Sequence, residues 1–154
     1  MIIARAEIHR RKPAYRRPFD DHRCLILASG FYEWDDVSGA RVPHYFRMAD
    51  GSPFAMAGIW DRWRSPDGQQ IESGAIVTTD ANGIVAPVHG RMPVILPKDD
   101  WDRVARLRAR PRAPRRSLHP LEADRMSSHP VSRLVNNPRN DDPRCVERAE
   151  PAAP

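Results

Sequence analysis

Short apolar runs separated by turn signals divide most of this chain into segments the length of a β-strand. An apolar run that passes into alternation predicts a strand over 2–8, and later runs predict strands over 24–28, 31–34, 45–48, 54–60, 75–79, 94–96 and 131–135. Residues typical of turns lie between these runs at 29–30, 35–39, 50–51 and 66–68. The pattern therefore predicts a chain made mainly of short strands.

One segment has the spacing of an amphipathic helix, and it begins at Pro97. Asp99 and Asp100 fall in its first turn, where negative charge suits the positive end of the helix dipole. Its apolar stripe consists of three residues spaced three apart, Trp101, Val104 and Leu107. Together with the strands, this predicts a β-rich α+β fold, barrel-like and with few helices.

The length of the chain, 154 residues with 40% hydrophobic content, suits one domain with a modest core. We place that domain at 1–139 and interpret 140–154 as a polar, Pro-rich, disordered tail. The segment 106–116 contains many arginines and two prolines and cannot pack into a core. It is either a basic loop that contacts phosphates or a solvated insertion.

The positive charge of the chain comes almost entirely from arginine. The net charge is +5, and Lys12 and Lys98 are the only lysines. Arginine binds phosphate with a planar fork and stacks on bases, so this composition indicates a nucleic-acid partner, although a GC-rich genome explains it equally well. Neither a long apolar run nor a signal peptide is visible. We therefore expect a cytoplasmic protein without membrane contact.

Two short motifs each contain a side chain that can transfer a proton. Residues 30–34 read Gly-Phe-Tyr-Glu-Trp and contain Glu33, and residues 89–93 read His-Gly-Arg-Met-Pro and begin with His89. Each side chain is expected beside a rigid strand or turn, and neither motif has the pattern of a helix, a metal site or a phosphate loop. The two motifs indicate an acid/base pocket built on β-structure.

These motifs and several others, in the same order, make the chain resemble the SOS response-associated peptidase (SRAP) family. The resemblance extends over nearly the whole chain through the segments 4–7, 23–25, 30–34, 49–51, 76–79, 89–93, 129–132 and 135–137. It implies a protein of the SOS response and DNA repair that binds abasic sites in single-stranded DNA. Such a protein protects the lesion by a covalent crosslink, a lyase-like reaction, and also has autopeptidase activity.

The resemblance also implies how the crosslink forms and which residues take part. In the family, the α-amine and thiol of a Cys directly after the initiator Met close a thiazolidine ring on the sugar aldehyde. Glu33 and His89 correspond to the assisting acid and base, Arg5 and Arg91 to phosphate contacts, and Thr78 to a hydrogen-bonding wall of the pocket. No cofactor and no metal are implied, and we expect a monomer.

Chemistry explains why a glutamate and a histidine suit this reaction. Opening the abasic sugar to its aldehyde, and expelling water from the carbinolamine that an amine forms there, both require proton transfer. Burial among Phe31, Tyr32 and Trp34 is expected to favour the neutral acid form of Glu33 by raising its pKa. An imidazole exchanges protons near neutral pH and can donate to a sugar or phosphate oxygen.

The chain departs from the family pattern in three places. Its first residues align with an internal strand of the family, so we interpret it as an N-terminally truncated member. Ile3 stands where the family has Asn and cannot donate or accept a hydrogen bond through its side chain. The arginine-rich segment 106–116 replaces an acidic and apolar segment and suggests either a shifted reading frame or an insertion.

Two other functions remain open from the sequence. The first is a non-catalytic remnant that binds single-stranded DNA without a nucleophile. The second is a hydrolase that uses Cys24 with His89, although Cys24 is expected to be buried. Cys24 and Cys145 lie too far apart for a zinc knuckle and are expected to be free thiols rather than a disulfide.

Overall fold

The computed structural model of the protein describes residues 2–5, 22–35, 41–105 and 118–149. The chain divides into two compact units. The first comprises Met1–Ala28, Phe54–Asp80 and Arg91–Leu121, and the second comprises Ser29–Pro53, Ala81–Gly90 and Glu122–Pro154. The elements in the described ranges are β1 (Ile2–Arg5), β2 (Arg23–Ala28), β3 (Phe31–Asp35), β4 (Val42–Met48), β5 (Phe54–Arg64), β6 (Gln70–Asp80), β7 (Arg91–Pro93), β8 (Ile95–Leu96), α1 (Lys98–Ala105), β9 (Met126–Pro130) and 3-10 turns at Ala123–Arg125, Arg133–Asn136 and Pro143–Cys145.

The first unit contains a six-stranded sheet in which β5 and β6 form a long hairpin that divides at one end. Where the two strands separate, the segment 91–96 lies between them, since β7 pairs with β6 and β8 pairs with β5. The Ala57 amide donates to the Val94 carbonyl at 2.8 Å, and the Val94 amide donates to Val77 at 2.9 Å. The strand that follows His89 is therefore held on both sides.

The core of the first unit lies between this sheet and α1. Its buried members are Ala57, Ile59, Ala75, Val77, Val94, Leu96 and Val104. The Trp101 indole packs against this cluster and donates its Nε1 hydrogen to the Leu96 carbonyl at 3.0 Å. The predicted helix is confirmed, and two residues of its predicted apolar stripe, Trp101 and Val104, face the core. The third, Leu107, lies outside the described residues.

The second unit contains a three-stranded antiparallel sheet in the order β3-β4-β9. Phe46 in its central strand is fully buried and stacks on Phe31 with ring centroids 5.1 Å apart. Gly30, directly before β3, lies against the ring of Tyr45, and any Cβ at that position would collide with the ring. The glycine thus permits the close approach that begins the strand carrying Glu33.

The chain after β9 packs on the second unit as far as Ala149. The Tyr32 hydroxyl donates to the Cys145 carbonyl at 3.2 Å, and Val131 pairs with Arg148 as an antiparallel bridge. Cys145 is buried. The domain boundary at 139 and the disorder expected for 140–154 stay predictions.

One strand prediction is wrong. The segment 131–135 was expected to be a strand, but the strand is β9, which ends at Pro130, and Arg133–Asn136 forms a 3-10 turn. The Ser132 hydroxyl accepts from the Leu134 amide at 3.3 Å. A local bond of this kind offers the backbone an alternative to sheet pairing.

The other strand predictions are confirmed where the structure describes them, several with longer bounds, except that the predicted strand over 94–96 is limited to Ile95–Leu96. The β-rich α+β class is confirmed. Residues 6–8 of the first predicted strand and the basic segment 106–116 lie outside the described residues. No helix in the described ranges has the length and apolarity needed to cross a membrane.

Candidate functional site

Glu33 lies in the middle of β3, a strand held firmly on its opposite face. Tyr32 and Trp34 point to that opposite face because side chains alternate along a strand. The Trp34 indole donates to Asn136 Oδ1 at 2.7 Å, and the Tyr32 hydroxyl donates to Cys145. These anchors leave little freedom for the backbone that presents Glu33.

His89 ends a compact turn that starts after β6 and closes before β7. The Ala81 amide donates to the Gly90 carbonyl at 3.2 Å, which closes the base of the turn. The amide of His89 itself donates to the Val85 carbonyl at 2.9 Å, and Val85 is fully buried. His89 is therefore placed by backbone hydrogen bonds inside a segment anchored in the core.

The two predicted proton-transfer groups meet in the second unit. His89 Nδ1 lies 3.8 Å from Glu33 Oε2, with the histidine side chain 48% exposed and the glutamate side chain 25% exposed. Burial raises the pKa of Glu33, and the positive charge available on His89 lowers it by a smaller amount. The arrangement therefore favours the protonated form of a carboxyl group beside an imidazole that solvent or a substrate can reach.

Arg91 and Thr78, predicted as DNA contacts, lie together in the first unit. The Arg91 guanidinium donates to the Thr78 carbonyl at 2.7 Å and to the carboxylate of Asp80 at 2.9 Å. Thr78 is buried, so its hydroxyl faces the protein rather than open solvent. Asp80 is 83% exposed, and this exposed carboxylate competes with any phosphate for Arg91.

Arg5, the third predicted DNA contact, is described only by its backbone. It ends β1 directly opposite Thr78 in the parallel ladder with β6. The ladder also places Ile3, the residue that stands for the family Asn, opposite Ile76. Their side chains lie outside the described part of the structure, so the role of Arg5 stays a prediction.

Two residues near the acid/base pair were not singled out by the sequence. His44 on β4 pairs directly opposite Glu33, and burial lowers its pKa while the charge of Asp35 opposes that shift. Asn82 caps the turn that carries His89. An Asn two residues after the end of a strand is typical of such a turn, so Asn82 could have been found from the sequence.

Neither cysteine supports nucleophilic catalysis. Cys24 is half-buried, and burial raises the pKa of its thiol, which disfavours the reactive thiolate. Cys145 is buried. In the ranges that the structure describes, no group of three or more His, Cys, Asp or Glu side chains is arranged to hold a metal ion.

Comparisons with known proteins give one consistent result. The family model described as SOS response associated peptidase (SRAP) matches residues 1–138. The chain is 35% identical to the abasic site processing protein YoqW of Bacillus subtilis (strain 168), over 96% of this chain and 66% of that protein. It is 31% identical to the abasic site processing protein HMCES of Xenopus tropicalis, over 83% of this chain and 44% of that protein.

The fold is likewise similar to that of solved structures. An X-ray structure of a protein from Bacteroides thetaiotaomicron superposes with a TM-score of 0.86 at 28% identity, over 96% of this chain and 65% of that one. The chain thus spans less than two thirds of the length of these relatives.

Proposed function

We propose a function from the premise that this chain belongs to the SOS response associated peptidase (SRAP) family, whose model covers residues 1–138. The proposed function is recognition of abasic sites in single-stranded DNA and their protection by a covalent crosslink. The observation that carries the proposal is the contact between the half-buried carboxyl of Glu33 and the imidazole of His89. The names of YoqW and HMCES, both abasic site processing proteins, support the choice of lesion.

In the proposed reaction, Glu33 and His89 move protons while the bonds to the sugar change. An α-amine adds to C1′ of the open-chain abasic sugar and forms a carbinolamine. Glu33 donates its proton to the leaving hydroxyl, which departs as water and leaves an iminium. A thiol then adds to the iminium carbon, its proton returns to the Glu33 carboxylate, and the ring closes with a net loss of one water. His89 donates to a sugar or phosphate oxygen and stabilises the Glu33 carboxylate after it has given up its proton.

The family resemblance assigns the amine and thiol to an N-terminal cysteine, and position 2 of this sequence is Ile. The proposed autopeptidase activity is a separate step, in which water hydrolyses the peptide bond before that cysteine and frees its amine. These two steps require that cysteine. The acid/base part belongs to residues in the described structure.

The test compares two oligonucleotides that differ only in one abasic site. The protein carrying the N-terminal cysteine that the proposal requires is incubated with each, and denaturing electrophoresis reads the heat-stable adduct while fluorescence anisotropy reads binding. We expect an adduct on the abasic strand and none on the intact one. Equal binding to both strands with no adduct would select the non-covalent DNA-binding remnant instead.

Arg91 is proposed to contact a phosphate in competition with Asp80. R91A should weaken binding to single-stranded DNA and lower the slope of log affinity against log salt by about 0.7, the value for one phosphate contact on a single strand. D80N should strengthen binding, because it releases the guanidinium from its 2.9 Å ion pair. Titrations at several salt concentrations measure both effects.

The matched control is the ion pair between Arg62 and Glu72, which lies at 2.6 Å on the same sheet. R62A and E72Q make charge changes like those of R91A and D80N, but at a pair to which we assign no DNA contact. Both should leave the salt slope at its original value. If E72Q strengthens binding as much as D80N does, the effect is one of net charge and the Arg91 contact is wrong.

A further inference from the structure

We infer that Asn82 is a positioning residue that fixes the imidazole of His89 against the carboxyl of Glu33. The positioning of His89 is argued from geometry alone, and only its effect on catalysis rests on the proposed function. Asn82 is 9% exposed, the lowest exposure that the structure gives for a neutral amide side chain in its described ranges, and it lies seven residues before His89.

The side-chain oxygen of Asn82 begins the turn that carries His89. Oδ1 accepts hydrogen bonds from the amides of Ile84 at 3.2 Å and Val85 at 3.1 Å, as the side chain of an N-cap residue does, and the Val85 amide also donates to the Asn82 carbonyl at 3.2 Å. The Asn82 carbonyl accepts from Ala86 at 2.9 Å, and further along the turn the Val85 carbonyl accepts from both Val88 and His89 at 2.9 Å. The cap thus orients the residue whose carbonyl holds His89.

The other end of the Asn82 amide attaches the turn to the sheet of Glu33. Nδ2 donates to Met126 Sδ at 3.4 Å, and Met126 is the first residue of β9. β9 pairs with β4, which in turn pairs with β3 through His44 and Glu33. One buried amide therefore connects the backbone of the His89 turn to the sheet that carries the carboxyl group.

Loss of this cap should separate the two groups without unfolding the unit. An N-cap contributes about 1 kcal/mol, a small part of the stability of a domain. N82A removes both functions of the amide. N82S keeps an oxygen that can cap the turn, and G83A changes the neighbouring residue, where an added Cβ would make only an ordinary 3.8 Å contact with Ala123.

The first test needs no DNA. The pKa of the Glu33 carboxyl is measured by carbon-detected NMR titration in each variant. The neighbouring titratable residues, His44 opposite on β4 and Asp35 on the same strand, are not substituted in any variant. Because the charge on His89 lowers that pKa, N82A should shift it upward in the same direction as H89Q, whereas N82S and G83A should leave it near the original value. N82A added to H89Q should cause no further upward shift.

The second test follows the rate of crosslinking. N82A should lower the maximal rate by on the order of 100-fold, since a misplacement of about 1 Å has an effect of that size, without changing the DNA concentration that gives half of that rate. N82S should recover most of the rate.

The two tests separate failure of this inference from failure of the proposed function. An unchanged Glu33 pKa in N82A, or an equal shift of N82A in the H89Q background, overturns the positioning role of Asn82. The same conclusion follows if N82S behaves as N82A does, because the cap oxygen is then not what places His89. A shifted pKa in a protein that never forms an adduct would leave the positioning role standing and reject the proposed function.

Discussion

Replacement of Glu33 by Gln lowers the rate of crosslinking to abasic DNA by about 100- to 10,000-fold, the range that removal of a general acid gives. Glutamine fills the same space and can still donate a hydrogen bond, but it has no proton to give to the leaving hydroxyl. Binding of the abasic strand should change little, because the substitution leaves the proposed phosphate contact of Arg91 in place. Single-turnover kinetics at saturating DNA, read on denaturing gels, measure the change.

The stability of the same variant provides a control with its own pH dependence. Burial raises the pKa of Glu33 in the folded protein above its value in the unfolded chain, so ionisation of Glu33 opposes folding. The stability that the neutral group contributes is present below the unfolded pKa and is lost as the pH rises through the folded pKa. The free energy of unfolding of E33Q should therefore rise relative to that of the original protein as the pH increases above about 4.3, the pKa of Glu in an unfolded chain.

This pH trend also tells whether a loss of activity is chemical. If E33Q folds as well as or better than the original protein at pH 7 and still crosslinks slowly, the loss belongs to proton transfer. A crosslinking rate within about threefold of the original, well short of the range expected for a general acid, would remove Glu33 from the reaction.

Replacement of Phe46 by Ala lowers the free energy of unfolding by about 3–5 kcal/mol. The ring is fully buried in the central strand of the second unit, and its loss also removes the stacking contact with Phe31. A domain is stable by only about 5–15 kcal/mol, so this substitution removes a large share of the total. Because Phe46 shares a sheet face with His44 and Glu33, crosslinking should fall as well.

Urea denaturation measures this change, and an exposed aromatic provides the comparison. Trp63 is 56% exposed at the far end of the β5–β6 hairpin, and W63A should stay within about 0.5 kcal/mol of the original protein. F46L should have an intermediate effect, since it leaves a smaller cavity. If F46A lowers the free energy of unfolding no more than W63A does, the packing described for the second unit is wrong.

Prediction of the secondary-structure elements succeeded where the local sequence pattern is compatible with only one type of element. The apolar runs at 45–48, 54–60 and 75–79 are flanked by turn residues, and each lies within a strand of the structure. The pattern failed at 131–135, where the Ser132 side chain bonds to the Leu134 amide and favours a 3-10 turn. An apolar run of that length does not distinguish the two, because both bury a few residues.

The features of the candidate site also fall into those that the sequence predicts and those that only the structure shows. That Glu33 and His89 can transfer protons follows from their side-chain chemistry, and their motifs were visible in the chain. That Arg91 is already paired with Asp80, and that Asn82 holds the His89 turn, depends on contacts with residues that no local motif specifies. Only the folded chain shows these bonds.

The amino-acid sequence by itself therefore determined the β-rich class, the family and the residue types of the acid/base pair, because periodicity and chemical groups are local properties. The tertiary structure alone decided that Glu33 and His89 lie 3.8 Å apart and that burial favours the protonated form of the carboxyl group. A distance between remote segments, and the exclusion of water around them, arise only when strands pair and turns close.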